Sequence, residues 1–181
     1  MRLLDWMIRP ETVVVTGTKD TGFYVSDKFV IIDLAEADTS KNNPAEPGIY
    51  ELKATRPAVC TGRVGVEKAE VLLADQIAKI EASAKKWQDI TWSPSWQFGD
   101  ARIGSLNGRP CAINHAWLSR LPKNYVLRGY QPDNPFIIQR VNPADPIGKV
   151  RASRTNVGVV VPVKFTFWGP VFDAIVAEMN R

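Results

Sequence analysis

The chain has 181 residues, of which 45% are hydrophobic and 23% charged, and it carries a formal net charge of +4. That balance belongs to a folded globular chain rather than a disordered one, and the length suffices for one well-buried core. No apolar run approaches the roughly 20 residues of a membrane span, and the opening Met1-Arg-Leu-Leu-Asp-Trp6 lacks the apolar centre of a signal peptide, so a cytoplasmic protein is expected.

Thr12–Thr16, Gly22–Val25 and Phe29–Leu34 are short β-branched or aromatic runs separated by Lys19-Asp20 and Ser26-Asp27-Lys28, which predicts an antiparallel meander. Residues 35–48 are polar and rich in turn formers, a surface loop. Ile49–Ala54 and Ala58–Thr61 read as two more strands, parted at Arg56-Pro57. Val66–Trp87 predicts one long helix. Leu73, Ile77, Ile80, Ala84 and Trp87 make a single apolar stripe, with Asp75/Lys79 and Glu81/Lys85 paired on its wet face.

Asp89–Trp92 predicts a strand, followed by an irregular aromatic segment, Trp92-Ser-Pro-Ser-Trp96-Gln-Phe98. Its rings suit stacking on bases or a sugar, or filling the edge of a core, and packing is the weightier reading. Asn107-Gly108 is a tight turn, and Asn114 caps a helix His115–Leu121 that Pro122 stops. Tyr125–Arg128 and Phe136–Arg140 are extended. Pro143, Asp145 and Pro146 make a turn before Ile147–Ala152, and Val157–Phe165 closes the series. Pro162 places that last strand at an edge or bulge. Gly169-Pro170 then opens an amphipathic helix with Val171, Phe172, Ile175, Val176 and Met179 on one side. The expected architecture is α+β: a single domain over 1–165, built as an antiparallel sheet with two packed helices, plus an appended C-terminal helix over 166–181.

Charge is unevenly spread. Residues 1–100 sum to −3, whereas residues 101–164 hold 10 Lys+Arg against Asp133 and Asp145 alone. A basic half suits a polyanion, and Arg109, Arg120, Lys123 and Arg128 are the candidate nucleic-acid contacts. The bland alternative scatters such residues, Arg102 among them, over a solvated surface. Little else suggests chemistry. His115 is the only histidine and has no evident partner in sequence. Thr16-Gly17-Thr18-Lys19 lacks the long glycine loop of a phosphate binder. Carboxylate pairs such as Asp33/Glu36 and Asp20/Asp27 suit strand and loop ends. Cys60 and Cys111 read as two buried reduced thiols, with a disulfide as the other possibility. Neither a metal nor a cofactor is implied, and a non-enzymatic binding protein is expected.

Three short segments carry a resemblance. Asn114-His-Ala-Trp-Leu118 resembles the Asn-x-x-Tyr-Leu entry to the second helix of a bacterial DNA-polymerase sliding-clamp domain. Asn134-Pro-Phe-Ile-Ile138 is similar to that family's Ser-Pro-Val-Leu-Ile strand, and Val161-Pro-Val-Lys164 to its terminal Met-Pro-Met-Arg. The resemblance implies βαβββ units, with the helices at Val66–Trp87 and His115–Leu121 as their two helices. It also implies a clamp-like binding module acting in, or interfering with, DNA replication. The surface around Val161, Pro162 and Val163 would then hold short apolar peptides. The appended helix, through Phe172, Ile175 and Val176, would meet a protein partner or a second copy. This chain departs from the family in having far fewer than three domains' worth of residues, a charge-balanced long helix, and residues beyond the terminal strand. The alternative is a small protein-interaction or inhibitor protein, of viral type, with no nucleic-acid role.

Overall fold

The computed structural model describes residues 3–8, 11–18, 22–37, 46–53, 59–65, 79, 82, 87–143, 153–164, 170, 174–175 and 177–178. The chain divides into two compact units. The first comprises Met1–Ser83 with Val157–Val159, and the second Ala84–Asn156 with Val160–Arg181.

In the first unit a four-residue helix α1 (Leu3–Trp6) buries Leu3 and Trp6. Strands β1 (Thr12–Thr18), β2 (Gly22–Ser26), β3 (Val30–Asp33), β4 (Gly48–Lys53) and β5 (Val59–Gly65) stand in the order β5-β4-β1-β2-β3. The expected meander is present: Val15 pairs Val25, and Tyr24 pairs Asp33. Val13 and Val15 on β1 are fully buried, the period-two signature of one strand face turned to a core. All three residues Val30, Ile31 and Ile32 of β3 are buried. That strand is covered on both sides, and Gly158 explains how one neighbour comes so close, since a Cβ there would collide with the Ile31 carbonyl oxygen.

The turn between β2 and β3 is organised by one carboxylate. Asp27 is 5% exposed. Its Oδ1 accepts from the N–H groups of Phe29 (2.9 Å) and Val30 (2.8 Å), and its Oδ2 from that of Ile8 (2.5 Å). Lys28 at the turn's tip takes a left-handed φ of 77°, a conformation that needs such local support in a residue other than glycine. A residue that looked like an ordinary strand end thus closes a turn and ties the segment after α1 to it.

The second unit contains β6 (Gln88–Asp89), β7 (Thr91–Phe98), β8 (Ala101–Leu106), β9 (Arg109–Asn114), α2 (His115–Leu118), β10 (Tyr125–Gly129) and β11 (Phe136–Asn142). Strands β7-β8-β9 form an antiparallel meander, and β10 lies between β6 and β11. A last strand, β12 (Ser153–Val160), contributes Ser153–Asn156 to this unit. There the Asn142 Nδ2 donates to Ser153 Oγ (3.2 Å) and Thr155 Oγ1 (3.1 Å), and the Gln139 Nε2 to Asn156 Oδ1 (2.7 Å).

The expected α+β class is corrected. Among the described residues strand accounts for 56% and helix for 16%, and neither α1 nor α2 exceeds four residues. The protein is mostly antiparallel sheet, not a sheet with two packed helices. The cap at Asn114 forms as expected, its Oδ1 accepting from the Trp117 N–H at 2.9 Å. The helix nevertheless stops at Leu118, because the Ser119 hydroxyl bonds back to the Ala116 carbonyl (3.0 Å) and Pro122 follows. The segment read as irregular, 92–98, lies within β7, the longest strand of the meander. Of the expected helix 66–87, Lys79 and Ala82 are helical and exposed and Trp87 is buried. Leu73, Ile77, Ile80 and Ala84 lie outside the described residues, as do Phe172 and Val176 of the expected C-terminal helix, where Pro170, Ala174, Ile175, Ala177 and Glu178 are helical.

Replacing Asp27 by Ala removes the acceptor of three N–H groups, that of Val30 buried and those of Ile8 and Phe29 partly buried. It is expected to lower unfolding stability by about 2–4 kcal/mol, read as a drop in the urea midpoint. An unchanged midpoint would show that the turn holds without its carboxylate.

Candidate functional site

Two open clefts of the second unit are lined by side chains that gather around Trp92. Trp92 pairs Gly104 on β8, and pairing resumes only at Gln97 and Arg102. Four residues on β7, Ser93–Trp96, therefore face one on β8, Ile103. The sequence explains the excursion: Pro94 has no N–H to give to a ladder, and the Ser93 Oγ accepts from the Trp96 N–H (3.1 Å), forming a local turn.

Arg102 pins this excursion. Its Nη1 donates to the carbonyls of Ser93 (3.0 Å) and Pro94 (2.5 Å), while its Nε donates to His115 Nδ1 (3.3 Å) at the first residue of α2. Trp92 is seated from below and from the side. A Cβ on Gly104 would lie 2.7 Å from the Trp92 Cε3, so only glycine leaves room for the indole. Phe136 meets it edge-on, with ring centroids 6.4 Å apart and planes at 67°.

Two clefts of about 300 Å³ each adjoin this ring, and both are lined by Trp92 and Leu118. The first is walled by Ser93, Pro94, Arg102 and His115. The second has apolar sides, Leu121, Pro122, Tyr125 and Val126, with Asp89 and Lys123 as its charged members. Leu118, Leu121, Tyr125 and Val126 are each only half-buried, so this cleft shows apolar surface to solvent.

Asp89 is already neutralised. Arg154 grips it with both guanidinium nitrogens (2.5 and 2.8 Å), and Arg128 Nε lies 3.1 Å from its Oδ1. The Arg154 fork, helped by the charge of Arg128, holds the Asp89 carboxyl below its ordinary value against a smaller opposing effect of burial. Cys111, in the middle of β9, is a free thiol that burial pushes up to about 12. It is therefore not paired with Cys60, and at neutral pH it is no nucleophile. Among the described residues no group of three or more His, Cys, Asp or Glu could hold a metal, and no helix is long and apolar enough to cross a membrane.

The four candidate nucleic-acid residues differ in exposure and in place along the chain. Arg109 is exposed at the start of β9, five residues before Asn114, or about 17 Å along an extended strand. Arg120 and Lys123 are exposed beyond the other end, after α2. Arg128 is half-buried, committed to Asp89 and to the Trp87 carbonyl. The candidate protein-binding residues also divide. Val161 is 38% exposed and Pro162 is buried. The Val163 N–H donates to the Ala112 carbonyl (2.9 Å). Val163 and Ile175 pack, with Trp96, on the cluster of Ala101, Ile103 and Ala112, inside their own unit. Sequence reasoning missed the Trp92 clefts. The aromatic segment was visible, but Arg102 gave no signal that distinguished it from a surface cation, nor Asp89 from a strand-end carboxylate.

No family model, curated protein or solved structure matches this chain.

Replacing Gly104 by Val forces the indole of Trp92 off its seat. The expected cost is about 1–3 kcal/mol, with a changed near-ultraviolet circular dichroism; a variant with native dichroism and stability would refute the close fit. The Asp89 cluster yields a pH signature. Its depressed carboxyl stabilises the fold above the ordinary carboxylate range, and that contribution fades as pH falls through and below 3.8. Because the Asp89 side chain is 50% exposed, Asp89→Asn is expected to cost only about 0.5–1 kcal/mol at pH 7. Urea unfolding at pH 7 and at pH 3 should show the deficit smaller at pH 3, and a deficit that stays constant would assign it to something other than charge.

Proposed function

We propose that this chain is a non-enzymatic binding module whose second unit receives a segment of another protein. The observation that carries this reading is the pair of adjoining clefts that share Trp92 and Leu118. Their walls are rigid in origin, being a pinned strand excursion, a capped helix and a β-strand. The half-exposed apolar side chains along them suit the anchor side chains of a peptide. One of the four cations named for nucleic acid supports the same reading by its commitment: Arg128 is spent on Asp89 and the Trp87 carbonyl.

A second reading, DNA contact in replication as the clamp resemblance implies, is favoured by one observation, the excess of 10 Lys+Arg over two carboxylates in residues 101–164. The two are separated by two measurements on the full chain. Panning a random 12-residue peptide display library should enrich sequences that the wild-type protein retains and that Leu121→Glu, folded by circular dichroism, loses. Fluorescence anisotropy with a labelled 20-base-pair duplex should show no binding at 50 mM salt. Failure of the library to enrich overturns the protein-partner reading. Duplex binding that weakens steeply between 50 and 200 mM salt would replace it by the DNA reading.

A further inference from the structure

The chemistry of the second cleft narrows the partner. Its sides are apolar and half-exposed, and among the described residues the charges on it and bound to it are more positive than negative. Lys123 lines it and is exposed. Asp89, the only carboxylate among the described residues that line it, is held by Arg128 and Arg154, so the described charges on its lining and in contact with that lining are three cations and one anion. A carboxylate already held by two guanidinium groups offers little attraction to an incoming cation and leaves the surroundings net positive. We propose that this cleft takes an acidic linear segment of a partner protein, seated by one aliphatic side chain that enters between Leu121, Pro122 and Val126 while its flanking carboxylates lie toward Lys123 and the Asp89-bound arginines.

The inference rests on the binding-module reading and adds the partner's chemistry to it. A cleft of about 300 Å³ is at the small end of the range for ligand pockets. It therefore suits one anchoring side chain and not a folded surface. The positive surroundings supply what the anchor alone does not, a preference among the many aliphatic side chains of other proteins. Charge complementarity of this kind acts mainly on specificity and on the rate of encounter, so its signature is discrimination between segments of opposite charge.

The test uses three fluorescein-labelled ten-residue peptides on a Gly/Ser background, measured by anisotropy with the full chain at 100 mM salt. One carries a central Leu flanked by four Asp or Glu, the second the same Leu flanked by four Lys, and the third the acidic flanks with Ser in place of Leu. The acidic Leu peptide is expected to bind at least tenfold more tightly than either of the others. Lys123→Glu, a change at an exposed site that leaves the fold alone, is expected to weaken it about tenfold, and Leu121→Ser to abolish the advantage of Leu over Ser. Equal binding of acidic and basic peptides, or indifference to Lys123→Glu, overturns the assigned charge. Indifference to the Leu-to-Ser change overturns the assigned anchor. If the display library enriches ligands but none of these peptides binds, the acidic-segment inference fails while the binding-module reading stands. If the library enriches nothing, both fail together.

Discussion

One guanidinium, that of Arg102, holds together three pieces of backbone that the β-ladder alone would not. The excursion of β7 at Ser93–Trp96 leaves carbonyls without strand partners. Backbone oxygens that are half out of water need donors, and an arginine fork supplies several in fixed geometry. By spending two of its bonds on Ser93 and Pro94 and one on His115, Arg102 sets the spacing between the excursion and the start of α2. The wall of the first cleft is that spacing. The seat of Trp92 is fixed independently by the absent side chain of Gly104, so strand geometry and one cation together define what is open to solvent.

The first unit uses the same device with the sign reversed. There the ladder ends at a turn that leaves N–H groups, not carbonyls, in need of partners, and a buried carboxylate, Asp27, serves them. In both units an ionised side chain does for irregular backbone what the ladder does for regular backbone. Each is a single point of failure, because truncating it leaves several backbone groups unpaired at once. The Asp89 cluster is different. Its members are exposed by 27–50%, so it contributes little to stability and much to the sign of the local field.

Much of the sheet was legible in sequence, for a simple reason. The runs at 12–16, 22–25, 125–128 and 136–140 are dense in β-branched and aromatic residues and bounded by turn formers, and all became strands, as did Val30–Asp33 of the run at 29–34, where Leu34 instead opens a short 3-10 turn. Asn107-Gly108 turned as its chemistry demands, with φ of 55° and 71°. Asn114 capped. What sequence could not give was length and partnership. The helix after Asn114 was read as seven residues from its apolar content, but Trp117 alone of them is buried, and burial, not propensity, sustains a short helix. Strand β7 was hidden because Ser, Pro and Ser dilute its pattern, and it is held as a strand by its neighbour β8. The two-helix expectation leaned on the stripe at 66–87 and on likeness to a known architecture, and both outweighed the strand count. Arg102, Arg128 and Asp89 were unreadable as a class, since a charged residue's partners lie 13, 39 and 65 positions away.

Cys111 gives the second unit a built-in clock. Its thiol is fully enclosed in the middle of β9 and, with burial holding it protonated, is chemically silent while the sheet is closed. A thiol in that position reacts with an alkylating reagent only during the moments when β9 leaves its neighbours. The rate of labelling at Cys111, resolved by peptide mass mapping, therefore counts sheet openings directly. Anything that clamps the meander, including an occupant beside Trp92 on the adjoining strands, would register as a slower tick.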